Sequence, residues 1–269
     1  SDKLANGFRY SVGVALSDDK AKVVSYPSNP TNKIGDGVLY KGYTVGDIWG
    51  YVTGGILQEG DFDGVGANGK PLYHGPYFKG GQAYPGYIWY QDLDHDGVIT
   101  TGLNTVDDPG DRKVIGNNAP RYRYNITANF QYKGFDLDLM FQGVGKRDYW
   151  LSSTSSYWGN GAGSWEVYNN SWTPERTDAK FPMYGSGTGS YPQTGYLLDA
   201  SYIKLKQVIL GYTFPRTLIN KIGLEKLRLN LAAYNLFTIS DMPKYYDADY
   251  LSDAYPPKRT FSVGIQVGF

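Results

Sequence analysis

The chain has 269 residues with 26 basic and 26 acidic side chains, a formal net charge of zero and no Lys/Arg block, so nothing in it points to nucleic acid. It has no cysteine, which excludes disulfides, thiolate nucleophiles and Cys-ligated metals. No run of about 18 apolar residues occurs, which excludes a transmembrane helix. Thirty-five Gly, 26 Tyr and 6 Trp against 3 Met suit strands and turns better than helices, so the expected class is all-β. The opening Ser1-Asp2-Lys3-Leu4 has neither the basic nor the apolar region of a signal peptide. For an exported protein this predicts a chain that is processed or begins within a longer sequence.

In chain order, Phe8, Tyr10, Val12, Val14 and Leu16 alternate with Gly7, Arg9, Ser11, Gly13 and Ala15, the period of a strand with one apolar face. Asp18-Asp19 reads as the following turn, which would set Val14 opposite Val23. A weaker strand is expected from Gly46 to Leu57. From Arg121 to Tyr132 the even positions are apolar or aromatic and the odd positions polar, and after Lys133-Gly134 the phase reverses. A two-residue hairpin requires that reversal, pairing Tyr132 with Phe135, Phe130 with Leu137 and Ile126 with Phe141. Between Tyr202 and Thr213 the apolar phase switches, which predicts a bulge near Gln207. Pro215 to Glu225 reads as a modest connection with a helical turn at Thr217-Leu218-Ile219. Leu227, Leu229 and Leu231 alternate, as do Phe261, Val263, Ile265, Val267 and Phe269.

These strands run to about 10–12 residues, where a membrane-crossing strand needs about 9–11 and strands of water-soluble sheets are usually shorter. Tight turns contrast with long connections such as Lys146 to Ala200, the asymmetry of a membrane barrel. The expected fold is an antiparallel transmembrane β-barrel segment with long extracellular loops, its apolar set facing lipid and Arg123, Asn125, Asn129 and Asp138 facing the lumen. Alternation alone also fits a soluble sandwich or a lipocalin-like barrel.

Five segments in order carry a resemblance to a known family. They are Val114-Ile115-Gly116-Asn117-Asn118-Ala119-Pro120 leading into the hairpin; Asn170-Ser171-Trp172-Thr173-Pro174-Glu175 with Ala179-Lys180-Phe181-Pro182; Ser201-Tyr202-Ile203-Lys204-Leu205-Lys206 through Thr213-Phe214-Pro215; Leu227-Arg228-Leu229 through Asn235-Leu236-Phe237-Thr238; and Tyr255-Pro256-Pro257-Lys258-Arg259-Thr260-Phe261 to Phe269. Together they resemble the C-terminal barrel region of SusC-like TonB-dependent outer-membrane transporters. The resemblance implies that residues 1–269 are the final third of a 22-stranded barrel whose plug and earlier strands lie elsewhere, with about eight or nine strands here. It implies active import of oligosaccharides or peptides across the outer membrane of a Gram-negative bacterium, with a SusD-like surface lipoprotein as lid and TonB engaged through the N-terminal part. It also implies that the terminal aromatic, Phe269, is read during barrel assembly. One element departs from the family pattern, Tyr246-Asp247-Ala248-Asp249 standing where relatives have Asp-Pro-Glu.

No catalytic set is expected, since His74 and His95 are the only histidines and no triad or paired-histidine spacing can be built. Gly159-Asn160-Gly161-Ala162-Gly163 reads as loop. Glu59, Asp61 and Asp63 lack the spacing of a metal loop and read as a solvated loop. The sharpest local motif is Asp92-Leu93-Asp94-His95-Asp96-Gly97-Val98-Ile99-Thr100, which matches the first nine positions of an EF-hand loop. Calcium is therefore the expected cofactor, on Asp92, Asp94, Asp96, the Val98 carbonyl and Thr100; the bland alternative is an Asp-rich turn. Position 12 is Leu103, not Glu. The family resemblance implies an acidic residue followed by Arg before the Ile-Gly motif, which makes Asp111 the closing ligand after an insertion, with Asp108 second. In the long connection Tyr149, Trp150, Tyr157, Trp158, Trp165, Tyr168 and Trp172 cluster, and Trp150, Tyr157, Trp158, Trp165 and Trp172 are the expected substrate contacts, against a packing role for any one of them. The other reading of the whole chain is a soluble calcium-binding β-domain that binds carbohydrate.

Overall fold

The alternating segments assemble into one antiparallel sheet in a computed structural model, which describes residues 2–150, 165–244, 246–251 and 257–269. Its strands are β1 (Asp2–Lys3), β2 (Arg9–Ser17), β3 (Arg121–Tyr132), β4 (Phe135–Lys146), β5 (Tyr202–Thr213), β6 (Lys226–Ser240) and β7 (Thr260–Gly268), each hydrogen-bonded to the next in that order. The chain divides into two compact units. The first holds this sheet (Ser1–Asp19, Pro120–Arg147 and Asp199–Phe269), and the second is drawn from the two longest connections (Lys20–Ala119 and Asp148–Leu198).

The β3–β4 hairpin has the expected register, with Tyr132 opposite Phe135, Phe130 opposite Leu137 and Ile126 opposite Phe141. Lys133 (φ 46°) and Gly134 (φ 87°) both take the left-handed conformation that a two-residue turn of this twist demands. The expected bulge is present: pairing on both sides of β5 skips Lys206, between Leu205 and Gln207. The connection after β5 contains a helical turn at Arg216–Ile219 followed by a 3₁₀ turn at Asn220–Ile222.

Two strand expectations are corrected. Val14 does not face Val23; β2 pairs with β3, and Val14 lies opposite Ile126. Asp18 and Asp19 are not a hairpin turn but acceptors for the guanidinium groups of Arg121 and Arg123. The Arg121 guanidinium beside Asp18 draws its carboxyl down to about 2. The segment from Gly46 to Leu57 does not join the sheet either. It breaks into Asp47–Tyr51, paired with Arg112–Asn117, and Thr53–Ile56, paired with Ile88–Tyr90, and among the described residues the large sheet has seven strands.

Directly opposed residues share a face of a sheet, so the register sorts the side chains. One row reads Val14, Ile126, Phe141, Leu205, Phe237; the next reads Val12, Ala128, Leu139, Val208, Ala233, Phe261; a third reads Tyr10, Phe130, Leu137, Leu210, Leu231, Val263. The other face carries rows such as Ala15, Asn125, Gln142, Lys204, Thr238, and Ser11, Asn129, Asp138. The apolar face is not a core. Val14 is 71% exposed and Val263 76%, and Val12, Leu16, Leu231, Phe261 and Ile265 are exposed as well. On the polar face Val144, Tyr202, Lys204 and Ala232 are buried. Toward the short-turn end aromatic rings pair, Phe8 with Phe130 at 6.1 Å between centroids and Phe135 with Tyr212 at 4.4 Å.

The polar face is cross-linked over a glycine. Arg228 of β6 donates to both carboxylate oxygens of Asp136 on β4, across Gly211 of the intervening β5. A Cβ on Gly211 would lie 2.4 Å from an Arg228 nitrogen and 2.5 Å from an Asp136 oxygen. Gly211→Ala is therefore expected to push the pair apart and cost about 1–3 kcal/mol, as for a lost charge-assisted bond. A double-mutant cycle checks this: in an Asp136→Asn/Arg228→Gln background the same substitution should change the unfolding midpoint little.

The second unit packs conventionally. Tyr51, Ile88, Tyr90 and Ile99 form one buried cluster, flanked by Phe78 and Tyr196, and Ile34, Tyr40 and Tyr43 form another against Trp49, Val23 and Val106. Burial in the first cluster pushes the Tyr90 phenol far up, since its ionised form would lose its hydration.

Candidate functional site

The aspartate loop is suspended between two anchors of the buried cluster. Ile88–Tyr90 pairs with Thr53–Ile56 before it, and Val98–Ile99 pairs in parallel with Tyr77–Phe78 after it. Tyr90, just before the loop, and Ile99, next to its last residue, are buried. Within the loop each aspartate folds the backbone around itself. Asp92 accepts the His95 amide at 2.7 Å and the Gly97 amide at 2.8 Å, Asp94 accepts the Asp96 amide at 3.1 Å, and Asp96 accepts the Val98 amide at 2.8 Å. His95 (φ 64°) and Gly97 (φ 84°) supply the left-handed steps that make the loop turn sharply.

The outcome is convergence. Carboxylate oxygens of Asp92, Asp94 and Asp96 all lie within 4.8 Å of one another. Crowding shows in their acidities. Burial raises the Asp92 carboxyl, but the Gly97 and His95 amides outweigh it and the net shift is downward. The Asp96 amide lowers Asp94, yet desolvation and the charges of Asp111 and Asp96 leave it raised. Three carboxylates held around one point in this way are hard oxygen donors of the kind Ca²⁺ takes.

Asp111, expected as the closing ligand, is fully buried and reaches the loop as a clasp. Its two oxygens accept the Leu93 amide at 2.8 Å and the Thr100 amide at 2.7 Å, one from each side of the turn. It stands outside the trio of converging oxygens. The intervening insertion is closed at its base, where the Asp111 amide donates to the Thr100 carbonyl at 3.2 Å. Arg112 fills it, donating to the Pro109 and Thr101 carbonyls and to Asn104 Oδ1. The Thr100 hydroxyl accepts the Gly102 amide at 3.1 Å. Asp108, the second choice, sits within the insertion, its amide donating to the Thr105 hydroxyl.

The aromatic candidates separate. Tyr157 and Trp158, and the Gly159–Gly163 run, lie outside the described residues. Trp150 is half-buried, while Trp165 and Tyr168 are exposed and meet edge to face at 5.8 Å. Trp172 is buried, and its indole N–H donates to Gln58 Oε1 at 2.9 Å. It lines a 260 Å³ pocket together with Tyr168, Pro174, Met183 and Tyr184. Met183 and Tyr184 carried no signal in the sequence beyond the aromaticity of the second. His74 pairs with Asp63 at 2.6 Å, both side chains exposed, Asp63 lying in the short strand Phe62–Val65 and not in a loop.

No family model matches the chain. It is 28% identical to TonB-dependent receptor P3 of Formosa agariphila over 97% of its own length, covering 27% of that receptor. It is 27% identical to the TonB-dependent receptor SusC of Bacteroides thetaiotaomicron over 81% of its length, covering 23% of that protein. In fold it is similar to a chain of the RagAB peptide transporter, with a TM-score of 0.61 at 18% identity, over all of this chain and 28% of that one. The RagAB peptide importer in its 'closed-closed' state gives 0.63 at 16% identity. The chain spans about a quarter of the length of the relatives it matches.

Proposed function

We propose that this chain, which resembles part of the SusC-like TonB-dependent transporters, is a wall segment and its loops from an active outer-membrane importer. The observation that carries the reading is the apolar face of the seven-stranded sheet, exposed along β2, β6 and β7 and half-buried over most of the strands between them, with Leu205 buried, while polar side chains occupy the other face. A domain made for water would cover such a face, because exposed apolar patches of this extent are rare on monomers. Lipid covers it without further structure, and the aromatic pairs toward the short-turn end suit a membrane interface.

In this reading the polar face lines the passage and the second unit belongs to the extracellular loops. The cargo is an oligosaccharide or a peptide, a SusD-like lipoprotein acts as lid, and TonB engages a part of the protein beyond this chain. RagAB is a peptide transporter by name, which favours neither cargo here on its own. The aspartate loop binds Ca²⁺ through Asp92, Asp94 and Asp96 with the Val98 carbonyl, and the ion stiffens a loop that Asp111 already clasps. The alternative, a soluble calcium-binding β-domain for carbohydrate, shares the aspartate loop but leaves the exposed apolar face without a role.

Fractionation tests the reading. The protein containing this chain should sediment with outer membranes, require detergent for extraction and remain folded in it. Recovery as a monodisperse species in buffer without detergent would sink the transporter reading and favour the alternative.

A further inference from the structure

Lys204 points from the polar face of β5 and is 1% exposed, an unusual burial for a lysine. Its ammonium lies 2.6 Å from Asp247 Oδ2 and 3.7 Å from Asp249 Oδ2. Lys206, the residue the bulge leaves unpaired, places its ammonium 2.5 Å from the same Asp249 oxygen. The Tyr202 hydroxyl donates to the other Asp249 oxygen at 2.5 Å, and the Asp249 amide donates back to Asp247 Oδ1 at 2.9 Å. Two lysines therefore meet two aspartates, and the cluster is neutral within itself. The bulge is what permits it, because an extra residue in a strand re-aims the side chains around it.

Both aspartates belong to the connection after β6, in which residues 241–244 and 246–251 are described. Met242 and Ala248 of this connection are buried, whereas Tyr250 is 58% exposed. An exposed loop has no need to bury a lysine against two half-buried aspartates, since the desolvation of the ammonium is offset only by good geometry. Asp249 also borders a 410 Å³ cavity on the same unit, together with Arg123, Asn125, Gln142 and Tyr202. These are polar-face residues from neighbouring strands.

We propose that residues 246–251 are a fixed strap laid over the polar face, that Lys204, Lys206 and Tyr202 are its positioning residues, and that it forms one wall of the passage at the cavity. The assignment to a passage rests on the transport reading; the fixing of the strap does not. Removing one charge of a buried pair leaves the other unpaired, so the strap should release as a unit when the lysines are lost.

These 269 residues hold no cysteine, so with any cysteine in the rest of the protein replaced by serine the test is direct. In the purified full-length protein, Ala248→Cys, at a position now 1% exposed, should react slowly with a bulky maleimide. In a Lys204→Met/Lys206→Met background it should react at least about tenfold faster, because labelling of a buried site follows local opening. Tyr250→Cys should react quickly in both. If the lysine variant fails to assemble, the four-fold variant with Asp247→Asn and Asp249→Asn removes the stranded charges, and the same ratio is read there. An unchanged Ala248→Cys rate in an assembled barrel overturns the strap. A second arm measures leak conductance in planar bilayers, where the released strap should raise it. Faster labelling with unchanged conductance overturns the wall assignment alone, whereas a wild-type protein that never enters a bilayer fails the transport reading and leaves the labelling result intact.

Discussion

Val14→Arg should destabilise the folded protein by about 2–4 kcal/mol in a bilayer, the cost of a guanidinium at mid-depth on a lipid-facing strand. Val14 is 71% exposed, and on a surface facing water such a change would stay within about 0.5 kcal/mol. Exposure and cost therefore point in opposite directions, which makes the substitution diagnostic. Leu139→Arg, one row further along the same face, should behave likewise. Thr127→Arg is the matched control: it neighbours Ile126, the partner of Val14, but lies on the polar face. It should be mild. Denaturant unfolding of protein reconstituted in lipid vesicles gives all three values on one scale. Equal small costs at Val14 and Thr127 would mean that the apolar face does not meet lipid.

What the sequence disclosed, and what it withheld, follows from how far each signal reaches along the chain. The β3–β4 hairpin was legible to the residue, because a two-residue turn and a phase reversal fix register locally. The bulge in β5 was legible for the same reason. The partner of β2 was not. Alternation assigns Val14 to a face but says nothing about which strand lies beside it, and its true neighbour, Ile126, is separated from it by the whole Lys20–Ala119 segment of the second unit. Asp18-Asp19 looked like a turn because aspartates favour turns, yet here they receive two arginines from a distant strand.

The candidate site divides in the same way. Convergence of Asp92, Asp94 and Asp96 is written in their spacing around Gly97. Asp111 came from family resemblance, and its place as a clasp on two backbone amides depends on an insertion folding back on itself. Trp172 was grouped with the other loop aromatics by composition, but only the fold reveals that it is buried, bonded to Gln58 and lining a pocket. Lys204 carried no signal in the sequence beyond its place in the Ser201–Lys206 segment. Its burial comes from aspartates that follow β6, in a segment whose sequence departs from the family pattern.

Asp111→Ala should cost about 3 kcal/mol or more in the absence of any metal. The carboxylate is fully buried and holds the Leu93 and Thr100 amides, and a buried donor left without a partner costs about 1–3 kcal/mol. Asp111→Asn should rescue only part of this, since a carboxamide turns one N–H group toward a backbone donor. Asp94→Asn should do the reverse. That side chain is exposed and crowded by like charge, so its neutralisation should leave the metal-free protein nearly unchanged while weakening Ca²⁺ binding at least about tenfold. The pH dependence separates the two states further. In the metal-free protein Asp92 is lowered and Asp94 raised, so acidification through the carboxylate range removes stability at the first and relieves repulsion at the second, and the two oppose one another. With Ca²⁺ bound every carboxylate ligand must be ionised, so the pH dependence of affinity has a single sign and affinity falls as the pH drops into that range. Titration calorimetry at neutral and mildly acidic pH, with thermal unfolding in calcium and in chelator, measures each of these quantities. If calcium leaves the unfolding midpoint where the chelator has it, and Asp94→Asn changes nothing, the trio of aspartates is a turn held by its side-chain bonds to backbone amides and binds no metal.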